Sequence, residues 1–320
     1  MLDKILKETI WIFNYPQPEL IPSYYVSGLM PSHYLGIRKV IFLDKHDPEQ
    51  LLNHFNPRCI IISKAFKKNI SILAKLAKKR GIKVISIFDD WHFSNKERSI
   101  INLPIAENSN IIITKTDYAS DEIYKNINIK SIVIPDPVRF NNYKVFNKVT
   151  ETVNACWFGM HTNHDTIINE LSNLDQIDLN INLSIISNSF EEIDRFIKKK
   201  NFKNIKLKLI NWHSRSDKDI VTSDVVLLPY PDDDKRLVKS SNRIIESLNL
   251  GRFTILSNVN QFLEFKNFTY FGDITSGLKW FLKNNEEAIK KTIDGQKYVL
   301  DKYSLVKICK SWVNLLEKTI

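Results

Sequence analysis

Glycine is scarce in this 320-residue chain: there are eight, and no two are separated by a single position. That spacing excludes the G-x-G-x-x-G turn with which dinucleotide-binding folds bring backbone against a pyrophosphate. The nearest approach to a P-loop, GDITSGLKW at 272–280, also fails. Lys279 falls one place late, and Trp280 stands where Ser or Thr should hold magnesium. The stretch reads as a turn leading into a helix. Hydride transfer to NAD and P-loop phosphoryl transfer both lose support.

Cysteine is sparser still. Cys59, Cys156 and Cys309 lie far apart, mostly inside apolar runs and with no CxxC pair. Neither a disulfide framework nor a zinc ribbon is supported, and buried thiols acting as small apolar residues are expected. No apolar run reaches the roughly 18 residues of a spanning helix. The opening MLDKILKETIWIFNYPQPE is amphipathic and lacks the apolar core and cleavage site of a signal peptide. A cytoplasmic protein is the expectation.

Positive charge is plentiful: 46 Lys and Arg against 36 Asp and Glu give a net charge of +10. The lysines are dispersed along helical faces, as in KAFKKN and KLAKKRG, and form no single basic block. Nucleic acid is therefore not expected as a partner. Nucleotides, lipid phosphates and peripheral contact with an anionic inner membrane surface remain open.

The length suffices for about two domains, and short apolar runs alternate with helical stretches throughout. KVIFLD (39–44), CIIIS (59–63), KVISIFD (83–89), NIIIT (110–114) and SIVIP (131–135) read as buried parallel strands. Between the second and third, KNISILAKLAKKRG has helical spacing at Ile72, Leu73, Leu76 and Ala77 and closes on Gly81. TDYASDEIYKNI gives another helix after Thr116. The polar PDPVRFNNYKVFNKVTETV is the best linker. A second series follows in NACWFGM (154–160), INLSIIS (181–187), IKLKLINW (205–212), SDVVLLPY (223–230) and RFTILSN (252–258). At the end, Val299, Tyr303, Val306, Cys309, Trp312 and Leu316 recur at helical spacing. Two open α/β domains with right-handed crossovers are expected, with a cleft between them as the usual ligand site. The boundaries fall at 1–145 and 146–295, with a closing helix over 296–320.

The stretch KSSNRIIESLNLG after SDVVLLPY carries the most chemistry. A strand ending in Pro-Tyr leads through the acidic DDDKR loop to a helix opening with Lys239, Ser240 and Asn242, with Ser241 between them. A helix start with hydroxyls and a cation suits a phosphate. Glu246, one turn on, can accept hydrogen bonds from a ribose. Two other groups of residues lie beyond expected strand ends. In DDWHF, Asp89, Asp90 and His92 emerge where α/β ligands usually bind, and a carboxylate or imidazole there can deprotonate a hydroxyl. His33, in MPSHYLG, is a further candidate for that role. Trp212 and His213 follow a strand and suit stacking on a nucleobase. His161, His164 and Asp165 form only a weak metal constellation, so neither metal nor other cofactor is expected. For each of these residues, capping, packing and loop structure are the competing roles.

The duplicated α/β series, SDVVLLPY, the run K-S-x-N-R-x-x-E-x-x-x-x-G and the long C-terminal helix together resemble a GT-B glycosyltransferase. More narrowly, they resemble the group-1, family-4-like enzymes of bacterial surface polysaccharide synthesis. In the first half, SGLMPSHYLGIR, ISIFDDWHF and IITKTDYASDEIYKNINIKSIVIPDPV are similar to that group's acceptor domain. The resemblance implies two Rossmann-like domains facing a cleft and a C-terminal helix crossing back. It implies transfer of a sugar from a nucleotide-activated donor to a hydroxyl of a glycan or lipid-linked glycan. Glu246 would then bind the donor ribose, while Lys239, Ser240, Ser241, Asn242 and Arg243 hold phosphate. Gly159 and His161 would line the donor loop, with Tyr230 and Trp212 nearby. The family carries a first glutamate where this chain has Val238. A CMP-activated acid sugar as donor, or a catalytically silent GT-B-like binding protein, therefore stand as alternatives. If the reaction retains configuration, the leaving phosphate can take the acceptor's proton. If it inverts, Asp89, Asp90, His92 or His33 must.

Overall fold

The computed structural model describes residues 2–320 apart from 65, 66, 91, 94, 95, 150 and 232. Asp232, which the sequence places in the acidic loop, therefore lies outside the described residues. The chain forms two compact units. The first takes the residues up to Pro137 together with Asp233–Ser240 and Tyr303–Ile320; the second takes Val138–Asp232 and Ser241–Lys302.

The first unit holds a parallel six-stranded sheet. Its strands are β1 (Thr9–Phe13), β2 (Arg38–Ile41), β3 (Cys59–Ser63), β4 (Lys83–Ile87), β5 (Ile111–Thr114) and β6 (Ile132–Val133), in the order β2-β1-β3-β4-β5-β6. Every residue of β1 and β3 is buried, as the apolar runs TIWIF and CIIIS require of strands covered on both faces. β1 was not among the expected strands, because a five-residue apolar run inside an amphipathic segment shows no decisive period. The 68–79 helix buries Ile70, Leu73, Ala74 and Ala77. Its apolar stripe therefore starts at Ile70, and Ile72 is exposed instead of facing the core.

The second unit repeats the plan with β7 (Thr152–Phe158), β8 (Asn180–Ser187), β9 (Ile205–Asn211), β10 (Val225–Leu228), β11 (Phe253–Leu256) and the short β12 (Tyr270–Phe271). All pair in parallel in the order β12-β11-β10-β7-β8-β9. Counted from β7, that is the strand order of doubly wound dinucleotide-binding sheets. β10 and β11 are joined through the Asn242–Asn249 helix, which starts later than the sequence suggested. Lys239 and Ser240 precede it, and Ser241 occupies its N-cap position. Gly251 ends the helix at φ +68°, and a Cβ there would lie 2.9 Å from the Val145 Cα. Only glycine fits both the left-handed backbone and the close approach. Just beyond, Gly277 lies inside the Ile274–Lys283 helix that GDITSGLKW opens, capped by Asp273.

The C-terminal run is two helices, Asn285–Tyr303 and Leu305–Thr319, broken at Ser304 with φ −58° and ψ 145°. The break changes the register, so Val306 is exposed although the uninterrupted spacing put it inward. The last helix belongs to the first unit. Its Ile308, Trp312, Leu315 and Leu316 pack with Trp11, Ile61 and Ile85, and the Trp11 and Trp312 ring centroids lie 4.8 Å apart. The three cysteines are buried and free.

Candidate functional site

In open α/β sheets, ligands bind beyond the carboxyl ends of the strands where the strand order reverses, because neighbouring crossovers leave there to opposite faces. In the second unit that point lies between β7 and β10. Gly159 follows β7 directly, and Tyr230 stands two residues past β10. Arg243, in the first turn of the 242–249 helix, reaches the same place. Its guanidinium lies 4.6 Å from the Tyr230 ring centroid and 5.9 Å from that of Trp157, with Nη1 3.5 Å from the Phe158 carbonyl oxygen. A Cβ on Gly159 would sit 3.0 Å from the Trp157 ring and 3.3 Å from Arg243 Nη1. The absence of a side chain therefore lets the backbone pass close to the cation, with the Gly159 N–H given to the Ile186 carbonyl at 3.1 Å. A helix start and a guanidinium together give this crevice positive potential. The Tyr230 N–H donates to Ser257 Oγ at 2.9 Å, which fixes the end of β10 against that of β11.

Glu246 follows Arg243 by three positions, hence on the same side of the helix. It is buried and paired. Arg139 Nε lies 2.9 Å from Oε1, and Arg139 Nη2 donates to Oε2 at 3.3 Å. Both side chains are about one-tenth exposed or less. The Arg139 guanidinium also lies 3.9 Å from the Phe140 ring centroid and 5.8 Å from that of Trp212. Trp212, one residue past β9, is anchored by its backbone N–H, which donates to the Ser187 carbonyl at 2.8 Å. Glu246 and Trp212 thus flank one cation.

The two histidines after β7 go separate ways. His161 is exposed, and its backbone N–H donates to Asn188 Oδ1 at 2.9 Å. His164 is buried with Nε2 2.8 Å from Ser187 Oγ, and desolvation pushes its pKa down, which keeps the ring neutral. Among the described residues, no group of three or more His, Cys, Asp or Glu is placed to hold a metal ion.

In the first unit the order reverses between β1 and β3. Lys64, the residue after β3, has a left-handed backbone at φ +49°. Its ammonium lies 2.9 Å from Asp89 Oδ2, and the two side chains are 12% and 4% exposed. Ser27, in a π turn over Tyr25–Leu29, donates to the same oxygen at 3.4 Å. His92 Nε2 is 4.0 Å from Asp89 Oδ1. Burial alone would raise the Asp89 carboxyl, but the Lys64 ammonium, with help from His92, holds it well below the usual carboxylate range. A second buried pair follows along the same sheet edge, Lys115 Nζ to Asp136 Oδ1 at 3.1 Å.

Of the candidates for proton transfer, Asp89 and His92 are therefore brought together. Asp90 turns to the surface, where Arg98 Nη1 lies 3.3 Å from its Oδ2. His33 is exposed on the last turn before β2, at the amino ends of the strands, and is not brought to Asp89. Lys239 and Ser240 belong to the Asp233–Ser240 segment, which is grouped with the first unit and ends immediately before the Ser241 N-cap. Reasoning from the sequence missed Lys64 and Arg139. Lys64 carried a signal, a cation at the end of one buried strand with an anion at the end of the next. Arg139 carried none, being one of three cations in a polar linker, 107 positions from its partner.

No protein-family model matches this chain, and no curated protein does. Solved structures do match along nearly its whole length. A glycosyltransferase from Rickettsia africae aligns at TM-score 0.72 and 11% identity, covering 97% of this chain and 98% of that one. The lipopolysaccharide outer core galactosyltransferase WaaB aligns at 0.62 and 12%, covering 98% and 99%. An α-glucosyltransferase solved with UDP-glucose and DNA containing an abasic site aligns at 0.63 and 12%, covering 97% and 99%. At these identities the likeness is one of fold: two doubly wound units of the GT-B class.

Proposed function

We propose that this chain is a glycosyltransferase that moves a sugar from a nucleotide-activated donor to a hydroxyl of a glycan or lipid-linked glycan. The observation that carries the reading is the crevice between β7 and β10, where Gly159, Tyr230 and Arg243 meet with Glu246 one helical turn behind. A nucleoside diphosphate needs a cation and open backbone for its phosphates, and a carboxylate for its ribose. The fold adds support, since the similar structures carry glycosyltransferase names and one was solved with UDP-glucose.

In this reading Arg243 and the first turn of the 242–249 helix bind the donor phosphates, joined by Lys239, Ser240, Ser241 and Asn242. Glu246 takes the ribose, Trp212 the base, and His161 lines the loop. Loss of the nucleotide leaves negative charge on phosphate oxygens, so Arg243 and the helix N–H groups stabilise the transition state more than the bound donor. The donor is a substrate, and neither metal nor cofactor enters the scheme. The first unit receives the acceptor. Held far below the usual carboxylate range, Asp89 is a feeble proton acceptor. That favours the leaving phosphate as the group that takes the acceptor's proton, with retention of configuration. An acceptor carried on lipid would bring the protein to the inner membrane face, where its net charge of +10 is attracted to anionic headgroups. No helix among the described residues is long and apolar enough to cross a membrane.

Thermal shift against UDP, GDP, ADP, CMP and their sugar conjugates tests the reading. A cognate nucleotide at a hundred times its Kd stabilises by about 2.7 kcal/mol. A flat response across the panel would point to a silent GT-B-like protein. A CMP-only response would point to the acid-sugar donor. Undiminished affinity in Arg243→Ala and Lys239→Ala would move the phosphates elsewhere.

A further inference from the structure

We infer that Arg139 is a positioning residue of the donor site, which orients Glu246 toward the ribose diol and ties that carboxylate to the platform for the base. The inference rests on the donor assignment above and adds to it a residue from the linker.

The guanidinium approaches both oxygens of Glu246: Nη2 donates a hydrogen bond to Oε2 at 3.3 Å, and Nε makes an ion-pair contact, without a hydrogen bond, to Oε1 at 2.9 Å. Two simultaneous contacts fix the plane of the carboxylate, which a single lysine ammonium cannot do. A carboxylate oxygen can accept from more than one donor, so pairing with Arg139 is compatible with accepting from a ribose hydroxyl. Burial of both side chains to about one-tenth exposure or less keeps the pair from being screened by water. It also makes the charge of Glu246 tolerable, since an unpaired buried carboxylate tends to take up a proton and lose its acceptor function.

Arg139 is itself held in place. Its guanidinium lies 3.9 Å from the Phe140 ring centroid and 5.8 Å from that of Trp212. Phe140 is tied to the same helix, because Asn249 Nδ2 donates to its carbonyl oxygen at 2.8 Å. The ribose carboxylate and the base-stacking ring therefore share one rigid cation. Base and ribose are adjacent in a nucleoside, so a single residue that touches both partners can set their spacing.

The test is a double-mutant cycle read in nucleotide selectivity. Affinities of wild type, Arg139→Met, Glu246→Gln and the double variant are measured by calorimetry for the nucleotide found cognate and for its 2′-deoxy analogue. Wild type is expected to prefer the ribonucleotide by about tenfold, the scale of a hydrogen bond to a charged group. Arg139→Met is expected to reduce that preference to about twofold or less. The double variant should match Glu246→Gln, because Arg139 acts through that carboxylate. Arg139→Lys, which keeps the charge and loses the two-point contact, should restore little of the preference. If Arg139→Met keeps the wild-type preference, or if the two single effects add, the positioning role is overturned. Should Arg139→Met not fold, Arg139→Lys decides alone: a wild-type ratio in that variant overturns the inference. Absence of binding by any nucleotide in wild type would instead overturn the donor site on which the inference stands.

Discussion

Lys64→Met tests the buried charge cluster of the first unit. The Lys64 ammonium lies 2.9 Å from Asp89 Oδ2, with the carboxylate 4% and the lysine 12% exposed. Removing the cation leaves Asp89 in a site where burial alone disfavours its charge. Breaking one side of such a pair costs about 3–5 kcal/mol, which lowers a thermal midpoint by on the order of 10 °C. Replacing both partners in Lys64→Met/Asp89→Leu should recover most of that loss, since two apolar groups leave no orphaned charge. The pH dependence has a definite sign. In wild type the folded Asp89 pKa is depressed, so its contribution is present above the unfolded carboxyl pKa of about 3.9 and is lost as pH falls below it. In Lys64→Met the main opposition to burial is gone, with only the His92 and Ser27 contacts left, and the folded pKa is expected to rise above the unfolded one. The penalty then grows as pH climbs above about 4. Differential scanning fluorimetry at pH 4.5 and 7.5 should therefore show a midpoint loss at both, because wild type holds its Asp89 contribution at either pH, and a clearly larger loss at pH 7.5. A loss that is small at pH 7.5, or equal at both, would refute the account.

Two further outcomes follow from packing. Gly251→Ala forces a Cβ onto a φ of +68° and against the Val145 Cα at 2.9 Å; a midpoint loss of several degrees is expected in thermal melts, from a cost of about 1–3 kcal/mol. Burial pushes the thiols of Cys59 and Cys309 up to about 12 and raises Cys156 further; at pH 8 a disulfide reagent should titrate none of the three until the chain is unfolded.

Much of the fold is legible because it rests on composition that only one environment satisfies. CIIIS and VVLL are apolar on both faces, which a covered parallel strand requires. TIWIF satisfies the same rule and escaped notice because Leu2, Ile5 and Leu6 before it suggest a helical stripe, which the chain does form up to Lys7. Val306 shows the opposite failure. Its spacing from Val299 and Tyr303 is correct for one continuous helix, and the break at Ser304 hands the inward face to Ile308 and Trp312. A serine ahead of a helix is a legible cap, but nothing in the apolar spacing itself marks where one helix becomes two.

The sites divide along the same physical line. Adjacent parallel strands carry their final residues to one edge, so Ser63 pairs with Ile87, and Lys64 and Asp89 just beyond must be neighbours. The Lys115–Asp136 pair follows from the pairing of Thr114 with Val133 in the same way. Once strand order is assumed, these contacts can be deduced from sequence, and so can the meeting of Gly159 with Tyr230 at the reversal in the second sheet. The Arg139–Glu246 pair cannot, because a linker has no register that relates it to a helix 107 positions away. It is specified instead by a set of local matches: Asn249 to the Phe140 carbonyl, Gly251 to Phe146, Arg252 to the Lys144 carbonyl. Each fixes one linker residue against the end of the 242–249 helix. The helix whose first turn is proposed to meet the donor phosphates thereby holds the linker with its last, so substitutions at Asn249 or Arg252 should disturb Arg139 before they disturb Arg243.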